Sequence, residues 1–344
     1  MSNSEIVKNR SEILFLYDIT NANPNGDPLD SNKPRLDEET EFNIVTDVRL
    51  KRTIRDYLHD YKKEEIFVRE IVNNEGKIQD AKARANDFLN NDNKDNTLLD
   101  TDSNRDNTFL GQKKQIANSI LEKCIDVRLF GATIPVDIKF KEKDKSKSKT
   151  SSVTFTGSVQ FRLGRSLHKV EITHIKGTGA FASGEGKEQK TFREEYILPY
   201  SLISFYGIVN EKAAESTKLT NEDVKLLLDG IWNGTKNLIS RSKFGQVPRL
   251  LIQIEYKDKY YFIGDLDKQL SLKHSLDNDK TIRSINEVKI NLDLLLKSLE
   301  LNKDKINRIN MKYDSNIIFE DIGDGNDLNK KIKAIGIDVA ELKL

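Results

Sequence analysis

The sequence predicts an α+β fold whose elements follow the order strand, helix, strand, strand, helix, strand. Three observations carry this reading. Runs rich in β-branched and aromatic residues recur at 12–19, 152–167, 194–209 and 249–256. Two longer segments, 46–61 and 220–239, repeat apolar residues at helical spacing behind a threonine suited to capping. Polar or glycine-rich stretches too irregular for either element separate them.

Taken in order, "EILFLYDI" at 12–19 is apolar enough for a buried strand. "NANPNGDPLDSNKPR" at 21–35 follows, with three prolines, one glycine and four asparagines, so it is neither helix interior nor central strand. The whole irregular span from Thr20 to Val45 far exceeds an ordinary connection, and loops of such length are functional or disordered. The helix at 46–61 has Thr46 as N-cap and Leu50, Ile54 and Leu58 on one face, with Val48 and Tyr57 widening the stripe. Arg49, Lys51, Arg52 and Arg55 fall outside that stripe, answered only by Asp47, Asp56 and Asp60.

Residues 61–110 are mostly polar, and the stretch 90–107 reads as a mobile insertion. Residues 112–131 read as one helix ending at Gly131, and lysine-rich 139–152 as a solvated connection. The run 152–167 reads as a strand. Residues 172–193 hold four glycines and read as a long hairpin or flexible projection. The run 194–209 suits a strand or a short buried helix, and is counted as a strand in the order above. Thr220 caps the second long helix, with Asn221, Glu222 and Asp223 at its positive end. The run 249–256 is the last core strand, and a mixed tail follows. This order is the ferredoxin-like βαββαβ arrangement of RNA-recognition modules, with insertions after the first helix and between the middle strands. Order alone does not fix function.

The 344 residues suffice for one elaborated domain or two ordinary ones. No run approaches a membrane span, the first ten residues lack a signal-peptide core, and one cysteine, Cys124, precludes an internal disulfide. A cytoplasmic protein without membrane contact is expected. With 56 basic and 55 acidic residues the net charge is +1, so a polyanion would have to meet cations segregated onto one surface.

The common catalytic fingerprints are missing: no phosphate-binding or dinucleotide glycine loop, no HExxH, no GxSxG. His59, His168, His174 and His274 lack metal-ligand spacing beyond the loose pair His168/His174. Asp18, Asp27, Asp30 and Asp37 could hold a divalent metal near a phosphodiester, but aspartates in such a loop more often close turns. The basic pieces point instead to phosphate binding. Arg49, Lys51, Arg52 and Arg55 lie one to two turns apart on one helix. In "GRSLHK" and "SRSKFGQVPR", Gly164, Ser242 and Gly245 would let backbone N–H groups approach phosphate oxygens, with Arg165, Arg241 and Lys243 supplying charge. Phe181 reads equally as a stacking platform for bases or as the anchor of its hairpin.

The stretch "FLYDITNANPNGDPLDSNKPRLDEETEFNIVTDVRLKRTIRDYL" resembles the N-terminal signature of the Cascade backbone subunit of type I CRISPR systems, within the RAMP superfamily and nearest its I-B branch. The similarity continues through "GSVQFRLGRSLH", "YILPYSLISFYGI" and "IWNGTKNLISRSKFGQVPRLLI", and weakens at 70–108 and after 265. It implies a hand-shaped subunit: an RNA-recognition-like palm over 1–265, helical fingers at about 61–136, a β-hairpin thumb at about 170–195, and a C-terminal extension, 266–344, packed on the palm. Copies would stack head-to-tail along the CRISPR RNA, beside other Cascade subunits, and leave guide bases free to pair with target DNA. The guide contacts it implies are Asn21, Asn23 and Asn25 in the loop, the four helix cations, Arg162, Gly164, Arg165, His168, Lys176, Phe181, Arg241, Ser242, Lys243 and Gly245. No catalysis, metal or cofactor is expected. The other class in play is a metal-dependent endoribonuclease of type III-like complexes, cutting target RNA with a loop aspartate.

Overall fold

The structure, a computed structural model, describes residues 5–72, 76–91, 109–142, 145–182, 190–323 and 326–344. It separates into two compact units. One comprises Met1–Lys8, Arg55–Gln160 and Asn210–Leu227, and the other Asn9–Ile54, Phe161–Val209 and Leu228–Leu344.

The second unit is built on a sheet. Its core elements are β1 (Ser11–Ala22), the first half of α1 (Asp47–Lys62), β2 (Gly164–Lys169), β3 (Lys190–Val209), the end of α2 (Asn221–Lys236) and β4 (Val247–Tyr256). The tail adds β5 (Ile306–Tyr313) and β6 (Val339–Glu341). The sheet runs β6-β5-β4-β1-β3-β2, with the short strand Phe42–Val45 on the outer edge of β2. The four core strands thus lie in the order fourth, first, third, second. Every pairing on this path is antiparallel except β5 with β6.

Strand alternation sends successive residues of β1 to opposite faces. Leu14 and Leu16 join Leu202, Tyr206, Ile252 and Ile254 in a core completed by the tail, including Leu266, Leu270, Ile290, Leu299 and Ile332. On the other face Phe15, Tyr17 and Phe205 stack in series, at 5.6 and 6.3 Å between ring centroids. There Tyr17 and Phe205 face Leu50 and Thr53 of α1 and Thr235 of α2. Cover on both faces is why 12–19 is apolar almost throughout. The exceptions are the buried carboxylates Asp18 and Glu12, of which Glu12 accepts hydrogen bonds from the Tyr206 and Tyr256 hydroxyls and from the Ile263 (2.9 Å) and Gly264 (2.8 Å) N–H groups. Those bonds fasten the start of the tail to β1.

The first unit packs the helices Ala81–Asn91 and Phe109–Lys123 against a hairpin, Gly131–Glu142 with Lys145–Thr156. Its core gathers Phe88, Ile116, Ile120, Cys124, Ile134, Val136 and Ile138. Two expectations are corrected here. The lysine-rich stretch belongs to the hairpin, 139–142 ending its first strand and 145–152 beginning its second, because the alternating Ile134, Val136 and Ile138 bury one face and leave a ladder edge to be paired. The single helix expected at 112–131 breaks at Cys124, whose extended backbone bridges to Glu65 before a short helix, Ile125–Phe130. Asp126 of that helix is fully buried and accepts from Arg55 Nε (2.9 Å) and the N–H groups of Phe67 (2.8 Å) and Val68 (3.1 Å). Among the described residues no helix is long and apolar enough to cross a membrane.

Candidate nucleic-acid interface

The long loop after β1 is held by its own turn chemistry. Residues Gly26–Asp27 pair with Lys33–Pro34, and Asp27 accepts from Leu29 N–H (3.0 Å) and Arg35 Nη1 (2.7 Å). Asn21 is exposed in the left-handed region, with φ 50°. Asn23 is buried, and its side-chain amide donates to the Asn32 carbonyl at 2.7 Å. Asn25 Oδ1 accepts from both the N–H and the hydroxyl of Thr46, and Thr46 Oγ1 accepts from the Arg49 N–H, so the cap expected at Thr46 is itself set by the loop.

A second loop meets the first. The Asn23 N–H donates to the Ser242 carbonyl at 2.7 Å, joining the loop after β1 to the one before β4. Lys243 is half-buried, and burial holds its ammonium below the usual lysine range, with the positive charge of Arg49 pushing the same way. Arg49 Nη2 donates to Thr53 Oγ1 at 2.9 Å. Two cations are therefore brought close together beside the loop amides, a disposition suited to an anion. Gly245 is exposed at φ 83°, with open space where a Cβ would stand. Arg241 reaches Glu195 of β3 at 3.1 Å, and Lys33 lies over the Tyr196 ring, 5.5 Å from its centre. These two contacts tie both loops to the base of the Thr173–Ala182/β3 hairpin. Sequence spacing gave no sign of them.

Asn23, Asn25, Arg49, Ser242 and Lys243 thus converge. Arg52 is exposed on α1, and Lys51 is mostly buried against Asp47 at 3.0 Å. The remaining expected contacts lie elsewhere. Arg55 is in the other unit, bonded to Asp126. Arg162 pairs with Asp265 and lies over the Tyr206 ring, 4.6 Å from its centre. Arg165 pairs with Asp37 at 2.9 Å. Lys176 is exposed on the hairpin, 3.6 Å from Glu194. The Phe181 side chain lies outside the described residues, as do residues 183–189.

Three expectations need correction. His168 is 2% exposed and belongs to the core: its Nε2 accepts from the Leu202 N–H (3.3 Å), its Nδ1 meets the Lys169 carbonyl (2.9 Å), and it stacks on Tyr200. Gly164 is buried, and a Cβ there would stand 2.4 Å from the Phe205 ring, so its glycine serves sheet packing. Val48, expected in the apolar stripe of α1, is 66% exposed.

The aspartates of the loop, and Asp18 of β1, are each engaged. Asp30 pairs with Lys33 at 2.7 Å. Asp37 receives the N–H groups of Glu39 and Thr40, and the Arg165 guanidinium beside it holds its carboxyl below the usual range. Asp18 is buried under Tyr200 and Arg249, and burial pushes its carboxyl up. Among the described residues no three His, Cys, Asp or Glu side chains gather as a metal site. Nothing in this geometry favours an aspartate-centred nuclease.

The family model described as "CRISPR-associated protein Cas7" matches residues 9–293. The chain belongs to the Cas7 family. It is 34% identical over 324 residues to the CRISPR-associated protein Cas7 of Haloferax volcanii, covering 92% of this chain and 90% of that one. In fold it is similar to a chain of a solved "CRISPR RNA-guided surveillance complex, pre-nicking", with a TM-score of 0.52 at 12% identity over 96% of both chains. The span that matches the Cas7 family contains both loops, α1 and β2, so every expected contact residue falls within it.

Proposed function

We propose that this Cas7 chain is the guide-binding backbone subunit of a type I CRISPR surveillance complex, of the I-B branch. The supporting observation is the convergence of Asn23, Asn25, Arg49, Ser242 and Lys243, which sets two cations and several amide groups beside two interlocked loops. Such groups bind the sugar–phosphate backbone and leave base edges free, as a guide that must pair with target DNA requires.

On this reading the sheet unit is the palm, the helices and hairpin within Arg55–Gln160 are the fingers, and the hairpin Thr173–Ala182 with the start of β3 is the thumb. Copies stack head-to-tail along the guide beside other Cascade subunits, and the subunit itself cuts nothing. The near-neutral total charge suits this, since a heterologous stack joins unlike faces and only the guide track must be positive.

The experiment is to co-express the chain with a CRISPR array and purify it. Co-purification of RNA of one length, resistant to added nuclease, is expected. Protein that emerges without RNA, or with RNA of random length, overturns the reading. Metal-dependent cleavage of the bound RNA would instead support the nuclease class.

A further inference from the structure

We propose that the groove between β2 and the segment 267–272 is a nucleotide pocket, taking one base together with its phosphate. The proposal goes beyond the guide reading, because it holds for a free mononucleotide even if the chain carries no guide. The cavity measures about 810 Å³. That lies within the usual span of small-molecule sites, roughly 300–1,000 Å³. Phe42, Leu270 and Leu272 give it apolar lining, and Arg162 and Arg165 stand in its wall.

Two atoms in that lining carry the argument. Ser204 Oγ and Asp267 Oδ1 are both buried without a hydrogen-bond partner in the chain. Ser204 is 4% exposed. Its register opposite Arg165 and Leu16 sets it on the face that the tail covers, between Leu202 and Tyr206. Asp267 Oδ1 forms an ion pair with Arg162 at 3.6 Å but takes no hydrogen bond. Burying polar atoms unmatched is costly, and a ligand that meets them recovers the cost.

The lining specifies what that ligand must offer. Asp267 requires an N–H donor, such as the amino or imino edge of a base. Ser204 can give or accept one hydrogen bond. The apolar lining suits a flat ring, and the two arginines suit a phosphate. Their present partners, Asp265 for Arg162 and Asp37 for Arg165, form ion pairs in which each arginine side chain is about half exposed. Exposed pairs of this kind are weak, so a phosphate can displace or share them. A peptide C-terminus also joins N–H groups to an anion. Arg162, Arg165 and Lys268 are already paired with the carboxylates of Asp37, Asp265 and Asp267, so a doubly charged phosphate competes for them better than one further carboxylate does.

The test titrates the full-length chain by calorimetry with the four nucleoside 5′-monophosphates, inorganic phosphate and a short leucine-ended peptide. At least one mononucleotide should bind with Kd below about 1 mM and inorganic phosphate at least about tenfold more weakly. Arg162→Ala and Arg165→Ala should each weaken that binding about tenfold through loss of a charge-assisted hydrogen bond. Ser204→Leu should abolish it by filling the wall; if that variant fails to fold, the two exposed arginine variants decide. No mononucleotide binding, binding indifferent to the arginine variants, or preference for the peptide overturns the proposal. The source is read from the native complex. A 4-thiouridine crosslink from bound RNA to the peptide containing Leu270 and Leu272 supports the pocket with a strand nucleotide in it. A mononucleotide released on denaturation, absent from the Arg162→Ala protein, supports it with a free ligand.

Discussion

The side-chain oxygen of Asn25 accepts two hydrogen bonds from Thr46, one from its N–H and one from its hydroxyl, both at 2.8 Å. Because Thr46 in turn receives the Arg49 N–H at 3.3 Å, the loop after β1 and the first turn of α1 form one mechanical piece. The cation at Arg49 is aimed by an asparagine two dozen residues earlier, through the cap.

Removing that link should be costly. Asn25→Ala should lose about 1–2 kcal/mol, the usual range for a broken cap and an unmet donor. Asn25→Asp keeps the acceptor and should stay near the parent. Urea unfolding of the two variants checks this; equal stability of the alanine variant and the parent would show that Thr46 holds itself.

Gly164→Ala tests the packing reading of β2. The added Cβ would meet Phe205 ring atoms at 2.4–2.8 Å. Overpacking of this sort costs about 1–3 kcal/mol. Phe205→Leu in the same chain should restore part of the loss, which a role in phosphate approach would not predict.

His168 gives a pH signature. Burial lowers its pKa from the usual 6.5, and the proton on Nδ1 leaves Nε2 free to accept from Leu202. The folded state therefore binds protons less readily than the unfolded state. This group's contribution is intact above the unfolded pKa and is lost as pH falls from about 6.5 toward the lower folded value. Denaturation midpoints measured from pH 7.5 to 5 should drop more steeply for the parent than for His168→Gln. Parallel curves would place the ring in solvent.

Local signals made part of this legible. Thr46 and Thr220 read as caps from the residues that follow them; Thr220 and Asp223 exchange hydrogen bonds at 3.0 and 3.1 Å, whereas Thr46 is also set by Asn25 from the loop. The run 12–19 read as buried because both faces of β1 are covered. "GRSLHK" also carries a periodic signal: its burial alternates with period two, Arg165 and Lys169 outward and His168 inward. Chemistry made its histidine look like a ligand contact, while periodicity made it core. Other features were beyond local reading. Arg55 finds Asp126 across 71 residues, and the lysine-rich strand is recruited by the isoleucines and valine of its partner. Neither partner can be identified from spacing.

Arg49→Ala with Lys243→Ala should weaken binding of any single-stranded RNA, whatever its sequence, and flatten the salt dependence. Two lost phosphate contacts should reduce the slope of log K against log salt by roughly 1.4. Filter binding from low to moderate salt measures it. An unchanged slope with a folded protein would remove these two cations from the guide track.

The hairpin supplies the last prediction. Leu198–Val209 of β3 pairs with β1, whereas Lys190–Ile197 pairs with Thr173–Ala182, so this half of the long strand extends past the sheet. Its base is tied down by Arg241 on Glu195 and Lys33 over Tyr196. Deleting 178–190 and closing the gap with a short turn leaves those ties and the core register in place. The variant should fold, with a melting temperature close to the parent's, and should still bind RNA weakly through Arg49 and Lys243. It should fail to protect a guide at regular intervals, because a thumb acts by reaching over the strand. Phe181→Ala should show a milder defect if its ring meets bases. Nuclease footprinting of reconstituted complexes reads the difference. An unaltered periodic footprint from the deletion variant would rule out the thumb, and would leave the hairpin as a loop that the guide never touches.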